Sequence, residues 1–148
     1  MTLTSGERGI GVPLLAAGAR LLLDREVTFC LGSQVAPGEA MERAVATVRR
    51  ALPALLGAAS ASRTADEVVD VVRELVDIVA RDRIGADILG RVTADEGHVT
   101  VSVGERRRQL PSPGSEPGLY LVNRHADEVG QYRGDEGGYI VWAAINVE

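Results

Sequence analysis

The chain has little cysteine and no long apolar run, and both absences limit what it can be. Cys30 is the only cysteine among 148 residues, so no intramolecular disulfide can form and no cysteine-based zinc site exists. The longest apolar stretch, residues 10–23, is interrupted by Pro13 and Arg20 and is too short to span a bilayer. We therefore expect a cytoplasmic location, with no membrane partner.

Lysine is absent as well. All sixteen basic residues are arginines, against 21 aspartates and glutamates, which gives a formal net charge of −5. An acidic chain lacks the broad positive surface that nucleic acids require, so no nucleic-acid partner is expected. The two histidines, His98 and His125, have no metal-ligand spacing with another ligand, and we expect no metal site.

The strongest periodic pattern lies in residues 64–82 and predicts a long amphipathic helix. Its apolar residues recur at steps of three and four and form a wide face. Thr64 is the predicted N-cap, with Glu67 completing a capping box. Because this face is rich in β-branched residues, which lower helix propensity, the helix needs tertiary packing to hold it, and we expect a central helix.

The polar face of the same helix predicts a ladder of ion pairs. Asp70–Arg73, Arg73–Asp77 and Asp77–Arg81 all have spacings that bring side chains together on a helix surface. The simplest interpretation of the ladder is a solvated face.

The remaining patterns predict an α/β fold. In order they are a strand over residues 26–32, a helix over 38–56 bent or interrupted near Pro53, a hairpin of strands 86–92 and 98–104, a loop over 106–115, a short helix over 118–127, and strands over 129–133 and 139–147. This order predicts a two-layer sandwich with a mixed, mostly antiparallel sheet and helices on one face. We expect residues 1–25 to form a tail and a short amphipathic helix, and residues 26–148 to form the domain.

Four stretches carry a resemblance to a known family. They are VVRELVDIVARD (71–82), VTVSVGE (99–105), SEPGLYLVNRHADEVG (115–130) and YIVWAAI (139–145). In this order they resemble the GHKL ATPases of the Bergerat, histidine-kinase-like fold, and are most similar to the anti-sigma-factor serine-kinase branch. The resemblance covers about residues 26–147 and implies ATP and magnesium as the cofactors of intact members.

The first motif of that family is a helix with a catalytic glutamate and a magnesium-binding asparagine four residues later. Glu74 matches the glutamate, but Ile78 stands at the asparagine position and has no oxygen for a hard cation. Asp77 lies about 100° around the helix and could substitute only if the helix rotated.

The second motif is an aspartate that binds adenine, followed by a glycine. Glu105 stands at the aspartate position and Arg106 at the glycine position, where its side chain would crowd the base. The resemblance makes Glu105 a vestigial cofactor-binding residue.

The third motif places glycines at a helix N-terminus, where free N–H groups hold phosphates. Gly118 and Leu119 match its end, but Glu116 adds a negative charge and Pro117 removes a donor. Gly118 and Leu119 are therefore also vestigial in this interpretation.

Three functions stay open. The departures favour a regulatory protein-binding domain, a pseudo-ATPase in which Glu74 is a vestigial base and no cofactor binds. The alternatives are an active serine kinase with an atypical site, or a small-molecule sensor that uses the emptied cleft. A plainer interpretation makes these site residues ordinary surface and capping residues.

The resemblance implies a sigma factor or an anti-sigma antagonist as partner. Arg106, Arg107 and Arg108 form either a solvated loop or a contact for an acidic partner or an anionic ligand. The predicted helix over residues 13–24 carries five leucines and must cover the open sheet face, cross the cleft or meet a second chain. A homodimer is favoured, because members of the resembling family commonly dimerise and exposed apolar patches mark interfaces.

Overall fold

The computed structural model describes residues 25–32, 35–57, 62–83, 87–95, 97–112 and 117–147. The predicted helix over residues 13–24 lies outside them. In chain order the elements are β1 (Arg25–Leu31), α1 (Pro37–Leu56), α2 (Ser62–Ala80), β2 (Ile88–Asp95), β3 (His98–Arg106), a 3-10 turn (Pro117–Leu119), α3 (Tyr120–His125), β4 (Glu128–Arg133) and β5 (Tyr139–Asn146).

The strands form one sheet in the order β1-β2-β3-β5-β4. All four neighbouring pairs are antiparallel, so the predicted mixed sheet has no parallel pair among the described strands. Tight hairpins, which join only antiparallel strands, explain the β2–β3 and β4–β5 pairs, whereas helices separate β1 from β2 and α3 with β4 separates β3 from β5. The predicted β2–β3 hairpin is confirmed, and Gly97 supplies its positive φ of 89°.

The helices pack on one face of the sheet, which confirms the two-layer α/β prediction. α2 is the central helix as expected, since the side chains of its apolar face are fully or almost fully buried: Val68, Val69, Val71, Val72, Leu75, Val76, Ile78 and Val79. These side chains pack against alternate residues of the strands, which are buried as well: Phe29, Leu31, Ile88, Val92, Val99, Val101, Val103, Val141, Ala143 and Ile145. Burying each large apolar side chain contributes roughly 1.5–3 kcal/mol, and this core holds the layers together.

One predicted helix start is wrong, and the predicted interruption of α1 near Pro53 is absent. α2 begins at Ser62, so Thr64 lies inside the helix and is not its N-cap; Glu67 instead pairs with Arg63 at 3.6 Å. α1 is not interrupted at Pro53 but continues to Leu56. The proline falls in the final turn, where the missing N–H costs one hydrogen bond and the buried leucines on either side hold the turn in place.

None of the described helices combines the length and apolar character needed to cross a membrane.

Candidate functional site

Glu74 lies in α2 on the side that faces α3. Its Oε1 accepts a hydrogen bond from the backbone N–H of Val122 at 2.9 Å. Val122 lies in the first turn of α3, whose own N-cap residue, Leu119, makes no side-chain cap hydrogen bond. The first turn of a helix has free N–H groups, and Glu74 satisfies one of them from the neighbouring helix. Glu74 therefore caps α3.

Ile78 lies one turn further along α2 and is 9% exposed. Gly118 is its neighbour in the 3-10 turn, since a Cβ built there would lie 3.4 Å from Cδ1 of Ile78. Leu119 is fully buried. The structure thus brings Ile78, Gly118 and Leu119 together, but the two side chains at this position, those of Ile78 and Leu119, are apolar. Glu116 lies outside the described residues.

Glu105 lies next to the end of β3, and both of its carboxylate oxygens are engaged. Oε2 accepts from the backbone N–H of Glu136 at 2.9 Å, and Oε1 accepts from that of Gly138 at 2.8 Å. A Cβ at Gly134 would lie 2.3 Å from Oε2, so the turn needs glycine there to approach the carboxylate. Hydrogen bonds to an ionised carboxylate are the stronger kind, and Glu105 holds the β4–β5 turn with two of them.

The structure does not bring Glu105 together with the other candidate site residues. Glu105 lines a cavity on the sheet face opposite the helices, in company with Thr28 and Tyr132. The cause is a register shift in β3 between Val103 and Arg106, which breaks the alternation of side chains. The residues that the GHKL resemblance assigns to one nucleotide site therefore lie on two faces of the sheet.

Arg106 is the last residue of β3, so the predicted loop begins one residue later than expected. Its side chain is buried, with Nε donating to the carbonyl of Ile78 at 3.3 Å and Nη1 to the carbonyl of Arg108 at 2.7 Å. Nη2 lies 3.4 Å from Oδ2 of Asp82. Arg106 joins the end of β3 to the end of α2, whereas the side chains of Arg107 and Arg108 are exposed.

Asp82 is a residue to which the sequence analysis gave no role. Its side chain is 10% exposed, and Oδ2 accepts from the backbone N–H of Arg108 at 3.1 Å and from Nε of Arg108 at 3.3 Å. Burial by itself raises the pKa of Asp82, but the hydrogen bonds from Arg108 and the charges of Arg108 and Arg106 lower that pKa overall. Asp82 is therefore ionised at neutral pH and fixes the arginine segment.

Beyond Arg108 the chain folds onto β4. The side chain of Gln131 accepts from the backbone N–H of Leu110 at 2.9 Å and donates to its carbonyl at 2.5 Å, and the side chain of Leu110 is buried. This paired contact fixes the first part of the loop that follows β3.

The polar face of α2 contacts neighbouring elements as well as solvent. The predicted Asp77–Arg81 pair is confirmed at 2.8 Å, but Arg73 pairs with Glu42 of α1 at 3.0 Å. Asp70 lies 3.3 Å from Nε2 of His125 at the end of α3. Within the described part of the chain, the predicted ladder is thus partly replaced by contacts between helices.

His125 lies between two carboxylates of α2, because its Nδ1 is also 3.7 Å from Oε2 of Glu67. The sequence analysis missed this group, since 55 residues separate His125 from Asp70. The available signal was a histidine at the end of a short helix, where positive charge is favoured. No group of three or more His, Cys, Asp or Glu side chains among the described residues is arranged to hold a metal ion.

No protein-family model matches the chain, and no curated protein matches it either. The likeness to GHKL ATPases rests on the four stretches of sequence given above.

Proposed function

We propose that this chain is a regulatory domain of GHKL type that binds a protein partner in the cytoplasm and does not use ATP. The observation that carries the proposal is the engagement of Glu74 and Glu105 by backbone N–H groups of their own chain. A catalytic base must have a free lone pair directed at its substrate. One oxygen of Glu74 and both oxygens of Glu105 accept backbone N–H groups instead, and both side chains stabilise the fold.

The position of Ile78 supports the same conclusion. Magnesium requires oxygen ligands in a nearly octahedral shell, and Ile78 offers a buried hydrocarbon chain where the resembling family has an amide. Leu119, which follows Gly118 beside this position, is buried and apolar as well.

A contact surface for the partner lies at the end of β3. Arg107 has an exposed side chain, and its backbone is fixed by an N–H···O bond of 2.6 Å to the carbonyl of Asp82. Arg108 is also exposed and is held against Asp82. Two exposed arginine side chains, on a backbone fixed by Asp82 in a chain of net negative charge, favour an acidic partner surface. The GHKL resemblance makes a sigma factor or an anti-sigma antagonist the first candidate.

The test is binding of the chain to sigma factors and anti-sigma antagonists of its native host, measured by calorimetry. Arg107→Glu should weaken the binding roughly tenfold, because it places a repulsive charge at the contact. Arg49→Glu, an exposed arginine on α1, is the matched control and should leave the affinity unchanged. Equal effects of both substitutions, or no binding by any candidate, would overturn the proposal.

A further inference from the structure

A cavity of about 750 Å³ lies on the sheet face turned away from α1 and α2. It has the size of a small-molecule site, because such sites usually enclose about 300–1,000 Å³. Its apolar lining includes Leu89 of β2 and the pair Tyr132 and Ile140, which lie opposite each other on β4 and β5. Leu89 is 59% exposed and Tyr132 is 52% exposed, so a ligand here would cover apolar surface that is open to water.

The charged side chains that line this cavity are mostly acidic. Carboxylates outnumber guanidinium groups there by four to two: Asp87, Glu105, Asp135 and Glu136 against Arg91 and Arg133. Glu105 is held by the backbone N–H groups of the β4–β5 turn. The other three carboxylates are exposed and make no hydrogen bond or ion pair within the described part of the chain. Their charge is available to a cationic group of a ligand.

Both arginines of the cavity already have partners. Nε of Arg91 lies 3.8 Å from Oε1 of Glu26 on the neighbouring strand. The guanidinium group of Arg133 lies 5.4 Å from the centre of the Tyr139 ring, and its Nη1 donates to the Tyr139 hydroxyl at 3.3 Å. An anionic ligand would have to compete with these contacts and would be repelled by the three available carboxylates. The charges of the cavity therefore favour a cation over an anion.

We propose that the cavity binds an amphipathic organic cation, a protonated amine that carries an aromatic or alkyl group. The apolar part of the ligand packs on Leu89 and Ile140. The carboxylates of Asp135 and Glu136 attract its ammonium group, and the ring of Tyr132 adds a cation–π contact. The proposal does not depend on the partner contact at the end of β3, because it uses none of the arginines of that contact.

The test uses three probes and the full chain in isothermal titration calorimetry. Tryptamine has an indole ring and an ammonium group, and indolepropionate has the same ring on a chain of similar length that ends in a carboxylate. Ethylamine has the ammonium group without the ring. Tryptamine should bind at least about tenfold more tightly than indolepropionate, and ethylamine should not saturate the site at millimolar concentration.

The double variant Asp135→Asn with Glu136→Gln removes both charges with little change of shape, and should weaken tryptamine binding about tenfold without changing the free energy of unfolding. Asp66→Asn with Glu128→Gln is the matched control, because it makes the same change of net charge at exposed positions that do not line the cavity. An equal loss of affinity in both double variants would overturn the proposal. So would equal or tighter binding of indolepropionate or ethylamine, or no saturation by tryptamine at millimolar concentration.

Discussion

The carboxylate of Glu74 in α2 accepts the backbone N–H of Val122 in α3 at 2.9 Å. This contact distinguishes two roles for Glu74, the residue that the family resemblance matches to a catalytic glutamate. A catalytic base needs a lone pair that is free to accept a proton from the substrate. A cap contributes to stability in the absence of any ligand, and this difference can be measured.

Changing Glu74 to alanine should lower the free energy of unfolding by about 1 kcal/mol, because α3 loses its cap. Glu74→Gln keeps an acceptor oxygen and should lose less. Urea denaturation measures both values, with Asp66→Ala as a control at an exposed position of the same helix. A Glu74→Ala protein as stable as the control would contradict the capping role.

Glu105 and Gly134 should behave as a coupled pair. Glu105→Ala removes two hydrogen bonds from the β4–β5 turn and should cost about 2–3 kcal/mol. Gly134→Ala should cost about 1–3 kcal/mol on its own, because its Cβ would overlap the carboxylate. In a protein that already carries Glu105→Ala, the cost of Gly134→Ala should largely disappear, because the carboxylate that the new Cβ would overlap is absent. Strictly additive costs would show that the carboxylate does not hold the turn.

The lowered pKa of Asp82 predicts how the free energy of unfolding depends on pH. Its pKa in the folded state lies below the ordinary 3.8, so its contribution is complete above that value and is lost as pH falls through the folded-state pKa. Asp82→Asn should therefore cost about 2 kcal/mol at neutral pH, where charged hydrogen bonds are lost. The two proteins should converge in stability in strong acid, where Asp82 is protonated. A gap that stays constant from neutral pH to below the folded-state pKa would rule out the ionised contact.

Replacing Ile78 by the asparagine of the resembling family should not produce ATP hydrolysis. Ile78→Asn should show no magnesium-dependent ATP hydrolysis, because Glu105 faces the other side of the sheet and the phosphate-binding motif is incomplete. It should also be less stable by about 2–4 kcal/mol, since it buries an amide in an apolar site. Ile78→Val is the control and should cost about 1 kcal/mol. Clear hydrolysis by Ile78→Asn would mean that the remaining site is intact.

Much of the fold could be predicted because its periodic patterns agree with local preferences. The core face of α2, the β2–β3 hairpin and both final strands follow directly from apolar spacing and turn residues. The start of α2 and the continuity of α1 were harder to predict, since Thr64 and Pro53 carry strong local signals that packing overrides. The α2 helix gains just under one turn by beginning at Ser62, and α1 tolerates proline in its last turn.

The contacts of the candidate site could not be predicted, because they join residues far apart in the chain. Asp82 meets Arg106 only because α2 ends beside the end of β3. The side of the sheet on which Glu105 lies depends on one register shift in β3, and alternation alone would not give it. His125 and Asp70 come together only through the packing of α3 on α2.

The most direct test of the central claim is thermal or chemical denaturation of the full chain with and without ATP and magnesium. A ligand present at a hundred times its dissociation constant adds about 2.7 kcal/mol to the free energy of unfolding. We predict no change in stability at millimolar ATP and magnesium, because Glu74 and Glu105 are engaged within the fold and Ile78 cannot bind the ion. A saturable stabilisation by ATP that is lost in Glu105→Ala would contradict the account.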